Sequence, residues 1–184
     1  MDRRKALQLS AAVFGGALVG AEAFLSGCAG EGTSENPLFS ARDVAVMDEI
    51  GETILPESAQ SPGAKAAHIG AFMQTMVSDC YSPEEQAVFT LGLKEIDSLA
   101  QEKYASGFLQ LQPPQRQELL GELDQAARQA PDQDPPHYFT MMKQLAIWGY
   151  FTSEPGATIA LRYNPIPGGY RGCVDYEKGG KAWF

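Results

Sequence analysis

The sequence predicts an all-α domain, a compact bundle of about five to six helices followed by an irregular C-terminal tail rich in aromatics, glycine and proline. Three observations predict it. Apolar residues recur at spacings of three and four over most of the chain after Ser40. Helix-start signatures punctuate those runs, and the period-two alternation of a half-buried strand is nowhere sustained.

The first helix starts at Ser40, which can cap with Asp43 three residues on. Val44, Met47, Ile50 and Ile54 then mark one face, and Pro56 stops the helix. A Ser-Pro-Gly turn at 61–63 leads into a second helix whose stripe is Ile69, Phe72, Met73, Met76, Val77 and Cys80. Such a Met and aromatic stripe is read as core packing. Ser82-Pro83-Glu84-Glu85 is a capping box with proline at the first helical position. It opens a third helix carrying Val88, Phe89, Leu93, Ile96, Leu99 and Ala100.

Tyr104 to Leu111 is a connector in which Phe108, Leu109 and Leu111 pack down. A fourth helix begins near Pro113-Pro114, with Leu119, Leu120, Leu123 and Ala127 on its apolar face. After a polar, proline-rich loop to Pro136, a fifth holds Phe139, Met142, Leu145, Ala146 and Trp148. It ends near Gly149 or Tyr150. Ser153-Glu154-Pro155 can start one more short helix, to about Leu161. From Arg162 the chain is too glycine-rich for helix and must be held in place by something else.

The N-terminal residues read differently. Arg3, Arg4 and Lys5 precede an apolar, small-residue run that ends in Leu25-Ser26-Gly27-Cys28. A basic start, an apolar middle and a small-residue exit make an export signal. The paired Arg3 and Arg4 point to the twin-arginine route, which carries folded proteins. Asp2 and Ala6 depart from the usual twin-arginine pattern, so a general secretory signal stays open. The last four residues resemble a bacterial lipobox, in which lipid is attached to Cys28 and the signal is cut before it. An uncleaved anchor helix is the alternative, but Glu22 and four glycines count against it.

The expected organisation is a signal at 1–27, a flexible tether at 28–39 and a helical domain at 40–184. Localisation is periplasmic, with the membrane reached through the lipid. Removing 1–27 leaves 157 of 184 residues, enough for one domain with a real core. The signal carries three cationic and two anionic side chains, so the net charge moves from −9 to −10. That charge disfavours nucleic acid as a partner.

Chemistry is sparse. With Cys28 taken by lipid, Cys80 and Cys173 remain as a pair in an oxidising compartment, where a disulfide is expected. Their spacing fits no zinc pattern, and only His68 and His137 could assist. No nucleophile elbow, phosphate loop, dinucleotide fingerprint or haem-attachment motif is present. Glu84 and Glu85 are explained by capping. No catalytic, cofactor-binding or metal-ligating residue is therefore expected in this chain. Among the late aromatics, Trp148 is assigned to the core. Tyr150, Phe151 and Tyr170, at a helix end and in turn-rich segments, are assigned to a partner interface.

Two stretches taken together resemble the small subunit (subunit 3, or gamma) of the gluconate 2-dehydrogenase family. The first is Ile50-Gly51-Glu52-Thr53-Ile54-Leu55-Pro56 followed by Pro62-Gly63-Ala64. The second runs from Trp148-Gly149-Tyr150-Phe151 to Pro155-Gly156-Ala157 and on into Pro-Gly-Gly-Tyr-Arg-Gly-Cys. The resemblance spans about 40–184. It implies a subunit that is not the catalyst and binds no cofactor itself. It also implies a large FAD-dependent partner of the glucose-methanol-choline type, oxidising sugars or sugar acids in the periplasm. Electrons then pass to a cytochrome c. The large subunit often lacks its own signal and is exported, folded and flavin-loaded, with the small one. The lipobox departs from that pattern and puts a cytochrome membrane anchor in doubt. The rival expectation is a stand-alone periplasmic sugar-binding or enzymatic lipoprotein.

Overall fold

A computed structural model of the chain describes residues 38–184 apart from 130, 132, 167, 170, 171, 174, 176, 177 and 184. Five α-helices form the bundle: α1 Ala41–Ile54, α2 Ile69–Cys80, α3 Pro83–Tyr104, α4 Pro113–Gln129 and α5 Tyr138–Thr152. Short 3-10 turns at Ala64–Ala67 and Phe108–Gln110 link them, and a π turn at Gly156–Ala160 follows α5. Among the described residues there is no strand, only isolated bridges at Ser58–Ser61 and Arg162–Trp183.

The helix starts follow the local chemistry. Ser40 and Asp43 form a reciprocal capping box at α1, and Ser82 and Glu85 do the same at α3 with Pro83 in the first turn. At α5 the cap is a histidine: His137 Nδ1 accepts from the Phe139 amide at 3.2 Å. His68, at φ 50°, breaks the 3-10 turn from α2.

The core collects one stripe from each helix. Met47, Ile50, Ile69, Met73, Phe89, Phe108, Ile96 and Met142 are fully enclosed. Leu119, Leu120, Leu123 and Ala127 of α4 are buried as their spacing predicts, and Phe108 and Leu111 do pack down from the connector. α5 packs against all four other helices. It can do so because its only charged residue is Lys143, so most of its circumference can leave water.

Two expectations about the core are corrected. Tyr150 is 3 % exposed and Trp148 is 52 % exposed, the reverse of the sequence assignment. Tyr150 faces inward because its hydroxyl donates to the carbonyl of Pro62, 88 residues away in sequence. Trp148, two positions earlier, then points outward. The expected Cys80–Cys173 disulfide is also absent: both are exposed free thiols. Cys80 ends α2 on its outer side rather than closing the apolar face. The tail is held instead at Arg162, whose amide donates to the Ala182 carbonyl at 2.7 Å. The Arg162 guanidinium also lies 4.7 Å from the Trp183 ring centre, and Lys181 Nζ reaches the Ile159 carbonyl.

Candidate functional site: a packed seam, polar clefts and an aromatic face

The two stretches singled out in the sequence, around 50–64 and 148–157, meet in space. Gly51 lets α1 lie on the start of α2: a Cβ there would come within 2.3 Å of Ile69 and 3.4 Å of Ala64. Gly149 does the same between α5 and α2, where a Cβ would meet Phe72 and Ile69 at 2.4 and 2.6 Å. The Glu52 carboxylate ties the intervening loop. It accepts from the amides of Glu57 at 3.0 Å and Lys65 at 2.9 Å, and it fills the space beside Gly63. The Ala64 amide closes the loop onto the Leu55 carbonyl at 2.9 Å. Gly156 turns the chain so tightly that a Cβ would sit 1.8 Å from the Tyr150 carbonyl oxygen. These residues form one packed seam with paired polar groups.

Three clefts among the described residues are lined by ionisable groups. One, of about 520 Å³ between α1 and α4, is lined by Glu49, Glu52, Lys65 and Arg116. Glu49 there accepts from both Arg116 and Lys65. Arg116 also donates to the carbonyls of Leu109 at 2.7 Å and Phe108 at 3.3 Å. A second cleft, also about 520 Å³, runs between α3 and α4 over Leu99, Leu119 and Leu123. Lys103 bridges Glu118 and Glu122 at its rim, at 2.8 and 2.6 Å. Those bonds hold the Lys103 ammonium in its charged form well above its usual range, and Lys103 in turn lowers the Glu118 carboxyl. The third, about 380 Å³, lies between α4 and α5 beside His137. Its Asp124 is taken by Lys143 at 2.6 Å and Arg128 at 2.7 Å, and Lys143 before Arg128 lowers its carboxyl below the ordinary range.

Each carboxylate in these clefts that faces a base is already matched by one. A general acid or base needs a group held near neutrality within reach of a substrate. Of the two histidines, His137 caps α5 and stacks on Tyr138 at 4.3 Å, and His68 is an exposed turn residue. The buried Tyr138 hydroxyl makes no hydrogen bond of ordinary geometry among the described residues, and Glu95 is the charge that acts on it. Burial, and secondarily the Glu95 charge, pushes its hydroxyl upward, so it remains a neutral phenol. No group of His, Cys, Asp and Glu among the described residues is arranged to hold a metal ion. No described helix is long and apolar enough to cross a membrane.

The remaining feature is a surface. Trp148 stands on the outside of α5 with its ring edge-on to Phe72 of α2, centroids 5.6 Å apart at 77°. Ile147 beside it is exposed, and Phe151, one turn on, is half-buried against Tyr150. Of the interface residues expected from sequence, Phe151 borders this surface and Tyr150 lies beneath it. Tyr170, like Arg3, Arg4 and Cys28, lies outside the described residues. Sequence reasoning placed Trp148 in the core, whereas the structure exposes it. The signal available was the near absence of charge on α2 and α5 together.

The family model for gluconate 2-dehydrogenase subunit 3 matches residues 41–168. No curated protein and no solved structure matches the chain.

Proposed function

The chain belongs to the gluconate 2-dehydrogenase subunit 3 family, and from that premise we propose how this subunit serves its dehydrogenase complex. It is a non-catalytic accessory subunit. Its partner is a large FAD-dependent enzyme of the glucose-methanol-choline type that oxidises a sugar or sugar acid in the periplasm. The flavin belongs to that partner. The small subunit assists the folding and export of the large one through Arg3 and Arg4, and lipid on Cys28 tethers the complex to the membrane. A cytochrome c takes the electrons.

One observation supports the accessory role above others. The residues by which the chain resembles its family are used for architecture. Gly51, Glu52, Gly63, Gly149 and Tyr150 hold α1, α2 and α5 together, and none offers a free group to a substrate. What such a seam delivers is a rigid scaffold.

The test is co-expression of the chain with a large FAD-dependent dehydrogenase subunit of the glucose-methanol-choline type. Sugar-dependent dye reduction and flavin absorbance are read in the periplasmic fraction. Both should require the small subunit and should fall on Arg3→Lys/Arg4→Lys substitution, and Cys28→Ser should release the complex from the membrane. Sugar oxidation by the purified small subunit alone, or full periplasmic activity of the large subunit without it, would overturn the reading.

A further inference from the structure

Charge is distributed unevenly over the bundle. α3 carries seven charged residues and α4 five, whereas α2 carries only Asp79 and α5 only Lys143. Asp79 sits at the very end of α2. Lys143 is directed to the α4 side, where it bonds Asp124 at 2.6 Å. Of the large apolar residues on the outer side of α2 and α5, Trp148 is exposed and Phe72, Met76 and Phe151 are half-buried, in a chain of net charge −9, while Ile147 turns to the α4–α5 cleft. Gly149 fixes the geometry of this face, because only a missing Cβ lets α5 come close enough for Phe72 to seat edge-on against Trp148. Loss of charge with enrichment in aromatics and methionine is the composition of an interface centre, and tryptophan is the commonest anchor there.

Resting on the function proposed above, we propose that the α2–α5 face, centred on Trp148, is where the dehydrogenase subunit docks. Charge and area both select that occupant. A lipid surface would call for lysines and arginines flanking the aromatics, but the two helices offer one lysine, already bonded, in an acidic chain. A two-fold pair of copies centred on Trp148 would bury this one face on each side. Helices of 12 and 15 residues are about 18 and 22 Å long, and side by side they present roughly 400 Å². A stable interface takes about 800 Å² from each partner. A larger protein can make up the difference by reaching past α5 onto the π turn packed against it, where Ile159 is also exposed. The partner's matching surface is apolar and uncharged, with a pocket sized for an indole.

The full chain, tagged and co-expressed with the dehydrogenase subunit, decides this as wild type, Trp148→Glu and Leu91→Glu. Leu91 is 62 % exposed on charged α3 and controls for loss of any surface apolar group. Wild type and Leu91→Glu should retain the dehydrogenase, and Trp148→Glu should retain at least tenfold less while keeping its helical circular dichroism. If Trp148→Glu unfolds, Trp148→Gln is read in its place. Wild-type retention by the Trp148 variant, or equal loss in the Leu91 variant, overturns the docking face and leaves the accessory role standing. If the wild type itself brings down no dehydrogenase, the accessory role fails and the face with it. Trp148-dependent self-association in sedimentation of the chain alone would assign the face to a second copy. Trp148-dependent flotation of Cys28→Ser protein with phosphatidylcholine–phosphatidylglycerol vesicles would assign it to lipid. Either result overturns the proposal.

Discussion

Arg116 is the side chain whose removal should be felt most widely, and the structure lets its effect be worked out. It reaches from α4 to Glu49 of α1 and to the carbonyls of Phe108 and Leu109 in the connector, with its guanidinium 5.8 Å from the Phe108 ring centre. Its side chain is 14 % exposed and that of Glu49 is 18 % exposed. Arg116→Met keeps most of the aliphatic stem and removes only the charged fork. Two charge-assisted bonds to carbonyls are lost, each worth about 1.5–3 kcal/mol, and the carbonyls are left in a partly closed site. Glu49 keeps Lys65, and water can reach the cleft, so the full ~3–5 kcal/mol of a broken buried pair is an upper bound. We expect a loss of about 3 kcal/mol in urea unfolding followed by circular dichroism, equal to a fall in Tm of roughly 6–12 °C for a domain of this size. Glu49→Gln should cost less, about 1–2 kcal/mol, because Arg116 retains both carbonyls. The double variant should cost less than the two singles summed, with a coupling of about 1 kcal/mol or more. A change under 0.5 kcal/mol for Arg116→Met, or strict additivity in the cycle, would refute the keystone role.

Three further outcomes follow from particular residues. Gly121, in mid-α4 with nothing within 4 Å of a built Cβ, and Gly92, whose Cβ would strike the Tyr138 ring at 2.3 Å, should respond to alanine with opposite signs. Gly121→Ala should stabilise by about 0.5–1 kcal/mol and Gly92→Ala destabilise by about 1–3 kcal/mol, and equal signs in urea titration would contradict the packing. Burial works against ionisation of Asp97, but the Phe108 amide at 3.0 Å and Arg42 at 2.9 Å outweigh it and hold the carboxyl below its usual 3.8. A lowered folded value means stability that is complete above 3.8 and lost as the pH falls through the folded value. The pair is partly exposed, so Asp97→Asn should remove less than ~1 kcal/mol of acid dependence, and an unchanged pH–stability curve would count against the interaction. Cys80→Ser and Cys173→Ser should each change the free energy of urea unfolding by less than about 0.5 kcal/mol, since both thiols are free. A loss near 3–5 kcal/mol from either would mean that a disulfide is present after all.

Most of the secondary structure was legible in the chain because its causes are local. Ser40 with Asp43 and Ser82 with Glu85 close their capping boxes within four residues, and the α4 stripe from Leu119 to Ala127 follows from the helical period alone. The resemblance to the family was legible for the same reason. Its glycines and prolines are punctuation for turns and close approaches that sequence order preserves.

What lay beyond the sequence was decided by partners distant in the chain. Near the end of α5, Trp148 lies three residues from buried Leu145 and Tyr150 four from buried Ala146, so helical spacing admits either to the core. The choice falls to Tyr150 because the Pro62 carbonyl, 88 residues away, accepts its hydroxyl while Gly149 seats α2. The same non-local fact turns Trp148 outward and makes a surface of it. The cysteines obey the same rule. A count of thiols and a compartment suggest a bridge, but a bridge needs two Cβ atoms within a few ångströms of each other. Composition and period assign each residue a preference, and only the packing of α2 against α5 determines which preferences are met.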